Sequence, residues 1–157
     1  MRLNLKIRLV MLVFVLAMGI QAQAGSILGW GSQVVDSAWL AQKNHIAISA
    51  GGLHSLALRS DGSIVGWGWN GYGQATPPPG NNYIAISTKW VHSLALRSDG
   101  RIVGWGDNDY GQATPPTGNN FIAISAGWDH SLALRSDGRI VGWGNNAYGR
   151  ATPADRQ

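Results

Sequence analysis

Apolar and polar positions alternate with a period of two along three stretches that share one text, His-Ser-Leu-Ala-Leu-Arg, at 54–59, 92–97 and 130–135. In the middle stretch His92, Leu94 and Leu96 fall on one face of an extended chain and Ser93, Ala95 and Arg97 on the other, so the segment reads as a β-strand, strand B. A short β-branched run precedes each copy, Ile84-Ala85-Ile86-Ser87 and its equivalents, and gives strand A. Ile102-Val103-Gly104-Trp105 and its equivalents give strand C. Ser-Asp-Gly stands between B and C, and Asp99-Gly100 there predicts a two-residue hairpin turn at positive φ. In strand C, Val103 and Trp105 share a face, whereas Ile102, Gly104 and Gly106 share the opposite one. Large residues back to back with small ones suit a sheet packed on both sides, with the Trp of one copy over the glycines and Ala95-type residues of its neighbour. Pro115 and Pro116 are tolerable only at an edge, so a short outer strand D is expected there, before Gly118-Asn119-Asn120 turns the chain toward the next A.

His54, His92 and His130 lie 38 residues apart, and Trp67, Trp105 and Trp143 keep the same step. Four antiparallel strands in each unit of ~40 residues match the blade of a β-propeller, and the Gly and Pro in every window exclude helices. The expected fold class is therefore all-β: a partial β-propeller of about three and a half four-stranded blades. Its partial blade occupies 26–45, with a lone strand C at Ser26–Gly31 and a degraded D region marked by Trp39, and its repeats run 46–83, 84–121 and 122–157.

The first residues change the picture of where the chain works. Arg2, Lys6 and Arg8 precede an uncharged apolar run from Leu9 to Ile20, followed by Gln21-Ala22-Gln23-Ala24. The run is too short for a membrane span, which needs ~20 residues, and the pattern predicts a secretory signal peptide over 1–24 with a domain over 25–157 that is secreted or periplasmic. Three of the twelve basic residues would leave with it, so nine remain against eight acids and the net charge falls from +4 to +1. That balance argues against nucleic acid and, after cleavage, against an anionic membrane as partner. The chain has no Cys, hence no disulfide and no thiolate metal site, and all eight acids are Asp, which removes Glu-based acid–base chemistry.

Two segments, Ile48-Ser-Ala-Gly-Gly-Leu-His-Ser-Leu-Ala-Leu58 and Ile124-Ser-Ala-Gly-Trp-Asp-His-Ser-Leu-Ala-Leu134, resemble the regulator of chromosome condensation repeat, as does the Gly-Trp-Gly-x-Asn-x-Tyr-Gly-Gln that follows. The resemblance covers Ser26 to about Pro153 and implies a propeller, usually seven-bladed. The chain departs from the motif at Thr88-Lys89, where Ala-Gly is usual, and at Ala-Thr-Pro, where Leu-Gly usually follows the Gln. Family members that exchange nucleotide on a small nuclear GTPase work in the nucleus, which a signal peptide does not fit. Exported bacterial members include a propeller that inhibits β-lactamases, similar here only at the level of fold and repeat, and that precedent implies protein binding.

No stretch carries a complete catalytic or cofactor constellation. Gly66-Trp67-Gly68-Trp69-Asn70-Gly71 satisfies a dinucleotide pattern, yet Ala75-Thr76-Pro77-Pro78-Pro79 follows where a helix N-terminus is required. His and Ser are adjacent in every copy and so point to opposite faces, which precludes a His–Ser proton relay within a copy. Ser-Asp-Gly lacks a residue of the sialidase Asp-box, and Asp107-Asn108-Asp109 reads as a solvated turn ahead of a Ca²⁺ loop. The expectation is a non-enzymatic protein with no catalytic residue, no metal and no cofactor. His54, His92, His130, Trp67, Trp105 and Trp143 are assigned to structure, each histidine ring bonded to loop backbone.

What differs between copies is more informative, because residues free to vary can be aimed at a ligand. The A–B loops read Ala50-Gly-Gly-Leu53, Thr88-Lys-Trp-Val91 and Ala126-Gly-Trp-Asp129, and the C–D loops read Trp69-Asn-Gly71, Asp107-Asn-Asp109 and Asn145-Asn-Ala147. In an antiparallel blade these two loops emerge at one end. That end carries the candidate ligand-binding residues Trp69, Lys89, Trp90, Asp107, Asp109, Trp128 and Asp129, a mixture of aromatic anchors and dispersed charge suited to protein recognition, with packing between blades as the alternative role of each Trp and a glycan as the alternative ligand. A half-propeller exposes blade faces and a strand edge, so a homo-oligomer that completes the ring is a further expected partner, against the alternative that the chain is a fragment of a longer propeller protein.

Overall fold

The computed structural model describes residues 44–153. The predicted signal peptide, Ser26–Gly31 and Trp39 lie outside the described residues. Within them the chain forms three three-stranded antiparallel sheets in sequence order: β1 (His45–Ala50), β2 (His54–Arg59) and β3 (Ile64–Gly68); β4 (Tyr83–Lys89), β5 (His92–Arg97) and β6 (Ile102–Gly106); β7 (Phe121–Ala126), β8 (His130–Arg135) and β9 (Ile140–Gly144). These are strands A, B and C of each repeat, with B in the centre. Every sheet keeps the same register: Leu94, for example, faces Ser87 on one side and Gly104 on the other, and Leu56 faces Ser49 and Gly66. A register break near the start of each A strand leaves Ile46, Ile84 and Ile122 turned to solvent.

The expected fourth strand is not formed; each blade has three. Donors in the segment after strand C are spent locally: Ala113 N–H donates to Asn108 Oδ1 and Thr114 N–H to the Gly111 carbonyl, and Pro115 and Pro116 have no N–H. The first and third repeats close the same way through Asn70 and Asn146. The hairpin turn also differs from expectation. Gly100 N–H donates to the Arg97 carbonyl and only Gly100 has positive φ, 78°, so Ser98-Asp99-Gly100 is a three-residue loop with a left-handed glycine at its end. Asp61, Asp99 and Asp137 tighten it by accepting from the backbone N–H two residues on.

Both faces of the middle sheet are covered, as the large–small pattern requires. Leu56, Leu58 and Ile64 of the first sheet pack against Tyr83 and Ala95 of the second, joined by Val103 and Trp105; Leu94, Leu96 and Ile102 pack in the same way against Phe121, Ala133, Val141 and Trp143 of the third. Full burial of each such leucine contributes about 1.5–3 kcal/mol, so these junctions are the core of the molecule. The glycines of strand C serve a different contact from the one expected. A methyl group at Gly66, Gly104 or Gly142 would strike the carbonyl of Ala75, Ala113 or Ala151 of the same repeat, so the space is filled by the returning backbone rather than by a neighbour's indole. Gly106 does meet the preceding repeat, at Gln74 Cβ.

Gly104→Ala therefore tests this close approach without a backbone-angle penalty, since Gly104 is not at positive φ. Urea unfolding should show a loss of about 1–3 kcal/mol from overpacking. Unchanged stability would show that the segment at Ala113 moves aside freely.

Candidate recognition surface

A hydrogen-bonded relay crosses each junction. His54 Nε2 lies 2.8 Å from Ser93 Oγ in the next repeat, Ser93 Oγ donates to the Gln74 carbonyl at 3.0 Å, and Trp105 Nε1 donates to that same carbonyl at 2.8 Å. The second junction repeats it with His92, Ser131, Gln112 and Trp143 at 3.0, 2.9 and 2.8 Å. Because the serine proton is committed to the carbonyl, the serine oxygen must accept, and the histidine carries its proton on Nε2. Sequence suggested loop backbone as the ring partner; His54 and His92 instead each meet the serine of the following copy, and His54 also has the Trp90 backbone as a partner. Adjacent His and Ser point to opposite faces of one strand, and it is this divergence that lets each reach across a different junction.

The same geometry disposes of a nucleophile reading across blades. A general base needs a free lone pair on Nε2, whereas this nitrogen is the donor, and Ser93 and Ser131 are fully buried. Burial lowers the pKa of His92 to about 4 despite the opposing charges of Asp107 and Asp129; burial also lowers His54 and His130, the latter with a contribution from Arg150. The Nδ1 atoms of His92 and His130 are buried without a partner among the described residues, which leaves a second proton there no acceptor, whereas at His54 the Trp90 backbone opposes the lowering.

The A–B and C–D loops meet at one end of every sheet, as expected. Trp69 N–H donates to the Leu53 carbonyl, Asp107 N–H to Val91 and Asn145 N–H to Asp129, each bond joining the two loops of one repeat. At this end Trp90 and Trp128 of adjacent repeats stack, with centroids 5.0 Å apart and planes 9° from parallel, yet stay 42% and 56% exposed. Gly52, at the equivalent position of the first repeat, lies against Trp90 on its backbone, and Gly52 N–H donates to the Trp90 carbonyl. The two roles weighed for these tryptophans, packing and display, are thus held together. Trp69 stands apart from the stack, edge-on to Tyr72 at 5.6 Å.

The departure at Thr88-Lys89 has a local cause. Gly51 and Gly127 lie against the rings of His54 and His130, where a side chain would collide. In the middle repeat β4 instead extends so that Lys89 pairs with His92, and the turn tightens to Trp90-Val91 with Trp90 at φ 48°. Thr88 also bonds Ser49 of the preceding A strand at 3.0 Å. Asp107 is engaged within its loop, accepting from Gln112 Nε2 at 2.9 Å and from Asp109 N–H at 3.2 Å, while Asp109 is exposed and Asp129 half-buried. No group of three His, Asp, Glu or Cys side chains comes together among the described residues.

Sequence reasoning missed Gln74 and Gln112, whose backbone carbonyls organise the relay, and Asn70, Asn108 and Asn146, which close the C–D loops. The asparagines recur at the repeat step and were visible as a signal; a carbonyl's role leaves none.

Stacked, repeating antiparallel sheets of this kind define a β-propeller-type repeat protein. Residues 46–74, 83–112 and 121–150 match the regulator of chromosome condensation (RCC1) repeat, more than half of the chain. The chain belongs to the RCC1-repeat family. No match is found among curated proteins. Among solved structures it is similar to Prp20p from Saccharomyces cerevisiae (TM-score 0.62, 20% identity, 77% of this chain and 40% of that one) and to human WBSCR16 (0.56, 22%, 64% and 33%). It is also similar to the ectodomain of the Physcomitrella patens receptor kinase CR4 (0.55, 29%, 64% and 29%). The chain thus spans two fifths or less of the length of these structures.

Two measurements check the relay. His92→Ala should destabilise by about 1–3 kcal/mol through the cavity and the buried Ser131 oxygen left without its donor, with His130→Ala costing less, because His130 makes no such bond among the described residues; equal effects in thermal melts would contradict this order. For pH, the unfolded ring titrates near 6.5 and the folded one at about 4. Between those values only the unfolded chain gains the proton. Stability is therefore full above pH ~6.5, falls as pH drops toward 4 by on the order of 3 kcal/mol, and then levels off. His92→Gln should remove most of this slope in urea midpoints measured from pH 7 to 4; a variant that keeps it would place the titration elsewhere.

Proposed function

We propose that the chain is an exported, non-enzymatic protein-binding module whose recognition surface is the A–B and C–D loop end of the sheets. The observation that carries this reading is the exposed Trp90–Trp128 stack, held between adjacent repeats at the one end where loop sequence varies from copy to copy. Large, rigid aromatic side chains that are already ordered lose little entropy on binding, which is why they anchor protein interfaces. Lys89, Asp109 and Asp129 surround the anchors with charge of both signs, and Trp69 extends the surface along the first repeat. Asp107 contributes through the loop shape it maintains. Export rests on the charged, apolar and Ala-x-Ala sequence of residues 1–24.

The similar yeast structure is described with binding properties toward Gsp1p and histones, and also bound to Kap60, which supports a protein partner for this fold. A glycan stacked on the same tryptophans is the second ligand class.

A pull-down from extracellular extract and a glycan array, run side by side with Trp128→Ala as control, test the reading. The expected result is a protein retained by the parent chain and weakened on the order of tenfold or more by Trp128→Ala, with circular dichroism unchanged. Glycan binding sensitive to Trp128→Ala would transfer the surface to carbohydrate. Retention indifferent to both Trp90→Ala and Trp128→Ala would remove the surface altogether.

A further inference from the structure

In the second and third repeats the two ends of the sheet differ in charge. At the turn end two arginines close on each aspartate, Arg97 and Arg101 on Asp99, and Arg135 and Arg139 on Asp137, which leaves that end positive. At the loop end the balance reverses, with Asp107, Asp109 and Asp129 against Lys89 and Arg150. The acids also converge. Burial sets the low pKa of His92, and the carboxylates of Asp107 and Asp129 both oppose it, so both act on the ring that spans the second junction. Arg150 acts one repeat further on, at His130, where it adds to the lowering by burial.

The aromatic stack joins the same two repeats. Trp90 stands two residues before His92, and Trp128 directly precedes Asp129. The stack covers one face of each ring and Gly52 lies against Trp90, yet Trp128 keeps 56% exposure. Exposed indole therefore sits beside a carboxylate without a partner: the Asp129 side chain makes no hydrogen bond or ion pair among the described residues, while its backbone carbonyl is fixed by Asn145 N–H. A group that answers both must be planar, to lie on an indole, and must be a cation that donates hydrogen bonds. A guanidinium meets each condition, because its weakly hydrated plane stacks on an aromatic face while its N–H groups pair with a carboxylate. An ammonium supplies only a compact, strongly hydrated charge.

We propose that the protein partner of the loop end presents an arginine, whose guanidinium lies on the exposed indole of Trp128 and donates to the Asp129 carboxylate, with Asp109 adding attraction at the rim. This rests on the reading of the loop end as a protein-binding surface and names the chemistry of its partner. The positive turn end repels such a partner, so the charge asymmetry orients the encounter toward the tryptophans. Lys89, next to Trp90 in the chain, opposes the incoming charge, and its removal strengthens binding. A purely structural role for these residues would not give that sign.

A short fluorescent peptide of alternating arginine and glycine with blocked ends, titrated with the chain and read by anisotropy, tests it beside counterparts carrying lysine or glutamate for arginine. The arginine peptide should bind, the lysine peptide several-fold more weakly, and the glutamate peptide not at all. Asp129→Asn should weaken the arginine peptide about tenfold and flatten its salt dependence, whereas Lys89→Ala should tighten it about threefold, with circular dichroism unchanged in both. No binding of the arginine peptide, equal binding of the glutamate peptide, or indifference to Asp129→Asn would overturn the proposal. If that indifference accompanied a protein partner weakened by Trp128→Ala, the loop end would remain a protein-binding surface of other chemistry, so the two readings fail separately.

Discussion

The rest of the structure depends on one acceptor, the backbone carbonyl of Gln74 or Gln112. A carbonyl oxygen has two lone pairs, and here both are used by the next repeat, one by a serine hydroxyl and one by a tryptophan indole. The serine in turn orients the histidine of the carbonyl's own repeat. A loop that forms no ladder is therefore held in place by side chains 19 and 31 residues further on. Desolvating this set is tolerable because its hydroxyl, indole and Nε2 donors are all matched, and any single deletion strands a partner in an apolar junction.

The sheets are three-stranded for the same reason. The segment that carries the organising carbonyl must run close over strand C, and Gly66, Gly104 and Gly142 make that approach feasible. Its own donors are turned inward by Asn70, Asn108 and Asn146, so it packs as a strap rather than pairing as a strand. Strands, strap and relay together fix the geometry between neighbours, and stability in such an array is a sum of repeat and nearest-neighbour terms. The loop end is relieved of that duty. Substitution there, such as Gly52, Trp90 and Trp128 at one equivalent position, alters the surface without altering the junction.

Neighbouring repeats nevertheless share one feature of the loop end. The Trp90–Trp128 stack is a contact between blades, so the aromatic surface is rigid because the array is, and the positive φ of Trp90 is held by the Gly52 bond and the stack together. A recognition surface built in this way is pre-organised by the same neighbour contacts that build the fold.

Period and alternation alone determined the repeat, its three strands and the end at which the variable loops gather. These are local properties: a period of two assigns faces, and a fixed step of 38 residues assigns equivalence. Tertiary structure alone decided the partners. The histidine's serine lies 39 residues away in the next repeat, the organising carbonyl has no side-chain signature, and the proline-rich segment forgoes pairing because its donors find asparagine first. The engagement of Asp107 by Gln112 and the pairing of Trp90 with Trp128 likewise follow from which loops are brought together. Sequence reports what each position prefers; which preference is satisfied by which neighbour is settled only when the sheets stack.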